Sequence, residues 1–411
     1  MRLIIFDPGY AHRNSHHHDV NRQLVESLTK AGWYVTLVAS RSIDSSTADE
    51  IRATGAILVP HFVTPCYYPN IERLDLGIYQ QLADRFADEI TELASLIPLS
   101  DAWLFHTGYS LHFIALARAL WRWQARAPTQ LVALMMFAPS TVSDVQEQEP
   151  EWLRYRLAFQ LLWQAAQRRG VKVTLGTSCR GYQKIWQSLW PYGTVILHPA
   201  VNYRSLPMLQ VPSKKPCVLL YLGSPKNEKG LKWSAHLTMA GARQWPDVNF
   251  IFHFNHHFWN AARNFADVIA TLDTAAAKYS NILFVRGHID ASRYDNLLQQ
   301  TTILTLLYDP YHYRMKTSGI LWDGLRLPDL RWLVTSESWL EKELHEIGLS
   351  CTTVRYGDTP QVLMQMENLL KQPLPRDYPA TLDQDYLQQL LQPLGGWLKN
   401  ILEQHSSYNL Q

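Results

Sequence analysis

Two segments in the second half of the chain carry residue types that hold an anion. Residues 218–231 read Val-Leu-Leu-Tyr-Leu-Gly-Ser-Pro-Lys-Asn-Glu-Lys-Gly-Leu, an apolar run that ends in a loop opened by Gly223 and then enters a helix. Such a junction leaves backbone N–H groups and a helix N-terminus facing outward, where a phosphate can sit, with Lys226 and Lys229 as point countercharges. Further on, Leu306 to Tyr311 leave a strand, and Arg314, Lys316, Ser318 and Gly319 lead into a helix that carries Asp323. A serine before glycine at a helix start can cap the helix and bind an anion together with it. The first segment alone also reads as an ordinary βα turn with a solvated Lys-Glu-Lys run. Two of them at the carboxyl ends of strands in one open α/β sheet point to a diphosphate.

The first half offers histidines. Pro8-Gly9-Tyr10 follows the first apolar run, and His16, His17 and His18 open the first helix. Adjacent side chains diverge and cannot all face one ion, so no metal site is expected. Asp101 to His106 reads as a strand ending in histidine before Thr107-Gly108-Tyr109. His106 fits a ligand contact or a hydrogen-bonded structural residue equally well. His256-His257 lies beyond another strand end and lines a cleft at best. No Ser-His-Asp arrangement, pair of catalytic carboxylates or complete dinucleotide-binding glycine fingerprint is present, which lowers hydrolase and dehydrogenase readings.

These residues need a scaffold of alternating short apolar runs and helical patterns, which predicts βαβ units and a mainly parallel sheet. Strands are expected at 3–6, 34–39, 56–60, 102–105, 131–137, 171–175 and 195–197, then at 218–222, 250–254, 282–285, 303–307, 332–335 and 352–356, with a first helix over His18–Ala31. A proline-punctuated polar stretch separates the two sets. The expected layout is therefore an N-terminal domain over 1–200, a linker over 201–215, a C-terminal domain over 216–382, and a tail over 383–411. Within the tail, apolar residues at helical spacing from Asp383 to Gln404 predict a packed helix broken at Gly395-Gly396.

With 411 residues, the chain has length for two domains, and 47% hydrophobic against 18% charged residues is an ordinary globular balance. Lys plus Arg total 38 against 36 Asp plus Glu; this near-balance gives no reason to expect a nucleic-acid partner. Cys66, Cys179, Cys217 and Cys351 are scattered without metal or disulfide spacing, which fits a reducing, cytoplasmic setting. No apolar run is long enough to span a bilayer. The helix from Trp152 to Arg169 mixes large apolar residues with four arginines, so it reads as a sheet-packing helix or as a peripheral contact with an anionic membrane.

The series Gly-x-x-x-x-Glu-Lys-Gly-Leu after one strand, Val285-Arg286-Gly287-His288-Ile289, and a Pro-Tyr then Ser-Gly-Ile-x-x-Asp segment resembles the C-terminal half of the retaining GT-B glycosyltransferases usually numbered family four. The resemblance implies two Rossmann-like, doubly wound domains facing a central cleft, with the tail helix packing back across them. It implies that Lys229 contacts a donor diphosphate; Gly223, Lys226, Arg314, Lys316, Ser318 and Gly319, read above from the two loops, are the other expected donor-site residues. Asp323 takes the place of the glutamate that holds the nucleotide ribose. In the first half, His17 and His18 match a Gly-His-His run and, with Gly9, fall to the acceptor side, while His106 sits where a histidine lies beside the transferred sugar.

The implied reaction moves a sugar from a nucleotide-diphosphate sugar to a hydroxyl of a glycan, lipid-linked or protein acceptor, with retention. No cofactor and no protein nucleophile are needed. Rival expectations are a nucleotide-sugar 2-epimerase or a phosphorylase of the same architecture, and a silent module that binds a nucleotide sugar or a protein.

Overall fold

The computed structural model describes residues 1–13, 16–67, 74–139, 150–200, 215–255, 261–373 and 378–404. Nearly all of the expected linker, and the His256-His257 pair, fall outside these residues. The described chain divides into two compact units, one built from the first 200 residues together with 388–404, the other from residues between 215 and 387.

The first unit contains a seven-stranded sheet, all parallel: β1 (Arg2–Asp7), β2 (Tyr34–Ser40), β3 (Ile57–Phe62), β4 (Ala102–His106), β5 (Gln130–Met135), β6 (Lys172–Thr177) and β7 (Val195–Leu197), in the order β3-β2-β1-β4-β5-β6-β7. The second has six parallel strands: β8 (Cys217–Tyr221), β9 (Asn249–Phe254), β10 (Ile282–Arg286), β11 (Ile303–Leu306), β12 (Arg331–Thr335) and β13 (Thr352–Val354), in the order β10-β9-β8-β11-β12-β13. Helices connect successive strands and cover the faces. The central strands are accordingly apolar on both sides, as in β4, β5, β8 and β12, where every residue is buried. Each unit is a doubly wound, Rossmann-like α/β domain.

Every expected strand forms, with ends displaced by a residue or two. The winding direction reverses between β1 and β4 in the first sheet and between β8 and β11 in the second. At such a reversal the connections leave in opposite directions and open a crevice at the strands' carboxyl ends, where α/β proteins place ligands. Asp7 and His106 terminate the first pair of strands, and Gly223 and Tyr308 follow the second.

The tail departs from expectation in one detail. It forms two helices, Gln384–Leu391 and Leu394–Gln404, so the interruption falls at Gln392-Pro393, where proline lacks the N–H needed to continue a helix. Gly395 and Gly396 lie inside the second helix. A Cβ on Gly395 would overlap Ser27 of the first helix, His16–Lys30, so glycine here permits close helix approach rather than a break. Leu394, Trp397, Leu398 and Leu402 join the core of the first unit with Leu24, Leu28, Val132 and Leu134. Trp397 Nε1–H donates to the Leu197 carbonyl at 2.8 Å, and Gln130 Nε2–H donates to that of Leu402 at 2.9 Å.

Candidate functional site

In the second unit, the loop after β8 is fixed from both sides. Tyr221, stacked on Phe252 with ring centroids 5.1 Å apart, donates its O–H to the Ser224 carbonyl at 2.7 Å and accepts the Lys226 N–H at 2.9 Å. Gly223 adopts φ +104°, a region that costs a side-chain-bearing residue energy. Asn227–Lys229 make one tight turn, and Gly230, at φ +70°, lies so close to the Leu307 carbonyl that a Cβ would overlap its oxygen.

That contact brings the second basic segment alongside the first. The Asp309 N–H donates to the Glu228 carbonyl at 2.9 Å. Lys229 Nζ lies 5.5 Å from the Tyr308 ring centroid, and the Tyr308 and Ser318 hydroxyls are 3.3 Å apart. Tyr308 and Tyr313 rings are 4.5 Å apart, and Lys316 Nζ lies 5.2 Å from the centre of Tyr313. Lys226, Lys229 and Lys316 are half-buried and close enough to feel one another. Burial pushes the Lys229 ammonium down to about 8, partly offset by Glu228. Burial lowers Lys226, with Lys229 adding to the effect, and lowers Lys316, with Lys226 and Lys229 adding to it. A site that depresses three amines is one that an anion relieves.

The other expected donor residues are distributed around this core. Ser318 is buried at the start of the short helix Gly319–Gly324 and makes no side-chain cap there, while Arg314 is exposed. Asp323 is 8% exposed, and its Oδ2 accepts the Tyr294 O–H at 2.7 Å. The carboxylate expected to meet a ribose thus has a tyrosine on one oxygen.

In the first unit, the strand ends gather Asp7, His17 and His106. Asp7 Oδ1 accepts the Gly9 N–H at 3.0 Å, and Oδ2 accepts from Asn21 Nδ2 at 2.5 Å and from His17 Nδ1 at 2.9 Å. Burial alone would raise the Asp7 carboxyl, but the charges of His17 and His106 and the bonds from His17 and Asn21 outweigh it and hold the group well below the usual carboxylate range. His17 Nε2 accepts the Tyr67 O–H at 2.7 Å. Gly9 faces the His17 ring so closely that a Cβ would overlap it.

His106 is fully buried, with Nδ1 3.6 Å from Asp7 Oδ2 and 2.8 Å from Thr107 Oγ1, and its Nε2 meets no hydrogen-bonding partner among the described residues. Burial lowers it to about 4, a shift that Asp7 opposes and His17 reinforces. Thr107 takes φ +61°, a strained conformation for a β-branched residue at the end of a central strand. The structure therefore places His17 beside His106, ring centroids 4.9 Å apart, with Gly9 alongside. His18 turns elsewhere, to the Tyr10 hydroxyl at 2.9 Å and to Glu50 at 3.4 Å. Ligand atoms of Asp7, His17 and His106 lie within 4.8 Å of one another, close enough to share a metal ion. Among these residues, Asp7 Oδ2 and His17 Nδ1 already share a hydrogen bond, while His106 Nδ1 bonds Thr107 instead.

Sequence reasoning passed over Asp7, Tyr67, Tyr221, Tyr308 and His253. Asp7 stood out only as the polar end of an apolar strand, and His253 only as a polar residue inside one. The helix Pro150–Arg169 buries Trp152, Phe159 and Leu162 and exposes Leu153 and Leu157, so its first role is packing. Among the described residues, no helix is long and apolar enough to cross a membrane, and no disulfide joins the cysteines.

No protein-family model and no curated protein sequence matches the chain. Solved structures do match along its whole length. Sucrose-phosphate synthase from Thermosynechococcus elongatus is 13% identical, covers 100% of this chain and 99% of its own, and gives a TM-score of 0.57. The α,α-trehalose 6-phosphate synthase of Burkholderia multivorans is 11% identical over 99% of this chain and 97% of its own, with a TM-score of 0.63. MnaA from S. aureus, solved with UDP, is 13% identical over 100% of this chain and 97% of its own, with a TM-score of 0.56. The chain has the GT-B fold.

Proposed function

We propose that this protein is a glycosyltransferase that moves a sugar from a nucleotide-diphosphate sugar to an acceptor hydroxyl, with retention, in glycan or glycolipid biosynthesis. The observation that carries the reading is the joining of the Glu228-Lys229-Gly230 turn to the Asp309 segment, which sets Lys226, Lys229 and Lys316 around one point at the winding reversal of the second sheet. Departure of a nucleoside diphosphate builds negative charge on its phosphates. Fixed ammonium groups placed where that charge grows stabilise the transition state more than the ground state. The MnaA structure, in which a chain of this fold is accompanied by UDP, supports the same ligand class.

The first unit takes the acceptor side in this reading. His106, whose buried Nε2 has no partner among the described residues, orients the transferring sugar, and His17, held by Asp7, positions an acceptor hydroxyl. The resemblance supports retention, in which the leaving phosphate itself accepts the hydroxyl proton.

The test is turnover against a panel of nucleotide-diphosphate sugars, each with and without sugar, sugar-phosphate and lipid-linked acceptors, followed by the anomeric configuration of the product. Nucleoside diphosphate release that rises with one acceptor supports the proposal. Isomerisation of a donor without any acceptor points to an epimerase, and tight binding without chemistry to a silent binding module; either outcome removes the transferase reading.

A further inference from the structure

His253 is the penultimate residue of β9, the strand between β8 and β10, and is 3% exposed. Its Nδ1 accepts the Gly223 N–H at 3.2 Å, and its Nε2–H donates to the Gly287 carbonyl at 2.8 Å. Both partners are glycines at positive φ, +104° and +83°, each in the turn leaving its strand. Backbone bonds lace the same three exits together: Asn255 N–H to the Gly223 carbonyl at 3.3 Å, and Gly287 N–H to the Phe254 carbonyl at 2.9 Å. One imidazole therefore ties the first residue of the Lys226–Lys229 loop to the neighbouring turn.

The partners dictate the proton. An amide N–H only donates and a carbonyl only accepts, so Nδ1 must carry the lone pair and Nε2 the hydrogen. A second proton on Nδ1 would set N–H against N–H, and the Gly223 bond would be lost.

We propose that His253 is a positioning residue of the nucleoside-diphosphate site, holding the Gly223 loop in its binding shape only while its ring is neutral. This inference rests on the donor site of the preceding subsection. Tyr221 pins the loop at Ser224 and Lys226, and His253 pins it at Gly223. Between them they pre-pay the ordering of a loop whose lysines must meet phosphate.

The surroundings favour the neutral ring. Burial lowers its basicity first, and the bond to Gly287 opposes this. His288, in the turn after β10, and Arg293, on the helix Ala291–Gln300, then lower it further. Among the described residues, these two are the charged or titratable groups that act on the ring, and neither is a carboxylate that would hold a proton on it. The loop thus stays organised at neutral pH and is released as pH falls below the ordinary histidine range.

The experiment measures calorimetric affinities of the full chain for UDP, GDP and ADP between about pH 7.5 and 4.5, with melting curves to confirm folding at each pH. His253→Leu should weaken the tightest of the three on the order of tenfold, the scale of one lost buried hydrogen bond. His253→Asn places an amide oxygen where Nδ1 stood and should recover most of that loss. As pH falls, wild-type affinity should drop more steeply than that of His253→Asn, because both share the titration of the ligand's own phosphate and only one carries an imidazole.

Equal pH slopes for wild type and His253→Asn overturn the inference, even if His253→Leu fails to fold. Undiminished binding by a folded His253→Leu also overturns it. In both cases the donor site stands if Lys229→Ala still abolishes binding. Absence of wild-type binding to all three nucleotides removes the donor site, and this inference with it.

Discussion

The main-chain N–H of Asp309 donates to the carbonyl oxygen of Glu228 at 2.9 Å, which locks the turn carrying Lys229 to the segment leading to Lys316. Two stretches about eighty residues apart in sequence thereby act as one basic surface.

Lys229→Ala should reduce donor turnover on the order of a hundredfold or more, the usual cost of removing one fixed charge-stabilising group. Lys316→Ala should cost less, because its ammonium lies over Tyr313 at the margin of the cluster. Neither should shift the melting temperature by more than a degree or two. Steady-state kinetics beside thermal melts decide the matter: collapse of the fold in Lys229→Ala would mean that the lysine supports structure.

Donor affinity should also fall as pH rises past about 8, where burial places the Lys229 titration. The sign follows from charge: the bound diphosphate favours the ammonium, so binding takes up a proton above that pH and releases none below it. Calorimetry in buffers of different ionisation enthalpy measures this uptake. A flat affinity from pH 7 to 9.5 would remove Lys229 from the site.

Gly230→Ala and Gly223→Ala make an informative pair. Both require positive φ, but only at Gly230 would the added methyl overlap a backbone oxygen, that of Leu307; among the described residues, nothing beyond the chain neighbours lies within 4 Å of a Cβ at Gly223. Gly223→Ala should cost about 1 kcal/mol, a conformational penalty alone. Gly230→Ala should cost clearly more and should separate the two basic segments. Denaturant melts measure the difference, and equal costs would contradict the tight approach to Leu307.

Asp7→Asn should destabilise the first unit on the order of 3 kcal/mol at pH 7, because it strips a buried partner from His17 and His106. The native carboxyl titrates well below its ordinary value of 3.8, so its stabilisation is fully present above that value and is lost as pH falls towards the native pKa. The gap between variant and wild type should therefore narrow below about pH 4. A gap independent of pH would show that shape rather than charge matters at this position.

Trp397→Ala should cost about 3–5 kcal/mol, the range for a buried aromatic residue, and the loss should appear in the first unit although the residue lies near the opposite end of the sequence. Hydrogen exchange on β6 and β7, measured against β8 and β9, locates it. Exchange that rises only in the second unit would contradict the placement of the last helix.

The strands were legible because parallel strands covered on both faces are short unbroken apolar runs, and Leu3 to Phe6 or Val218 to Leu222 cannot be read otherwise. The tail was half legible. Its apolar spacing foretold a packed helix, but Gly395-Gly396 suggested a break, since nothing in the sequence reveals that Ser27 lies opposite Gly395. The basic residues of the second unit were visible because lysines in a glycine loop advertise an anion. Asp7 and His253 were not, because each acts through partners on other elements, His17 and Asn21 for one, Gly223 and Gly287 for the other. A polar residue within an apolar run signals only that it must be satisfied, and the satisfying group comes from topology.

The first unit closes its interior with Leu394, Trp397, Leu398 and Leu402. On the ribosome, its seven strands emerge long before the helix that seals them, and the whole second unit is translated in the interval. The nascent N-terminal half must therefore wait with an oily seam open beside Leu24 and Leu28, the place where a chaperone would be expected to dwell and where truncated products should aggregate.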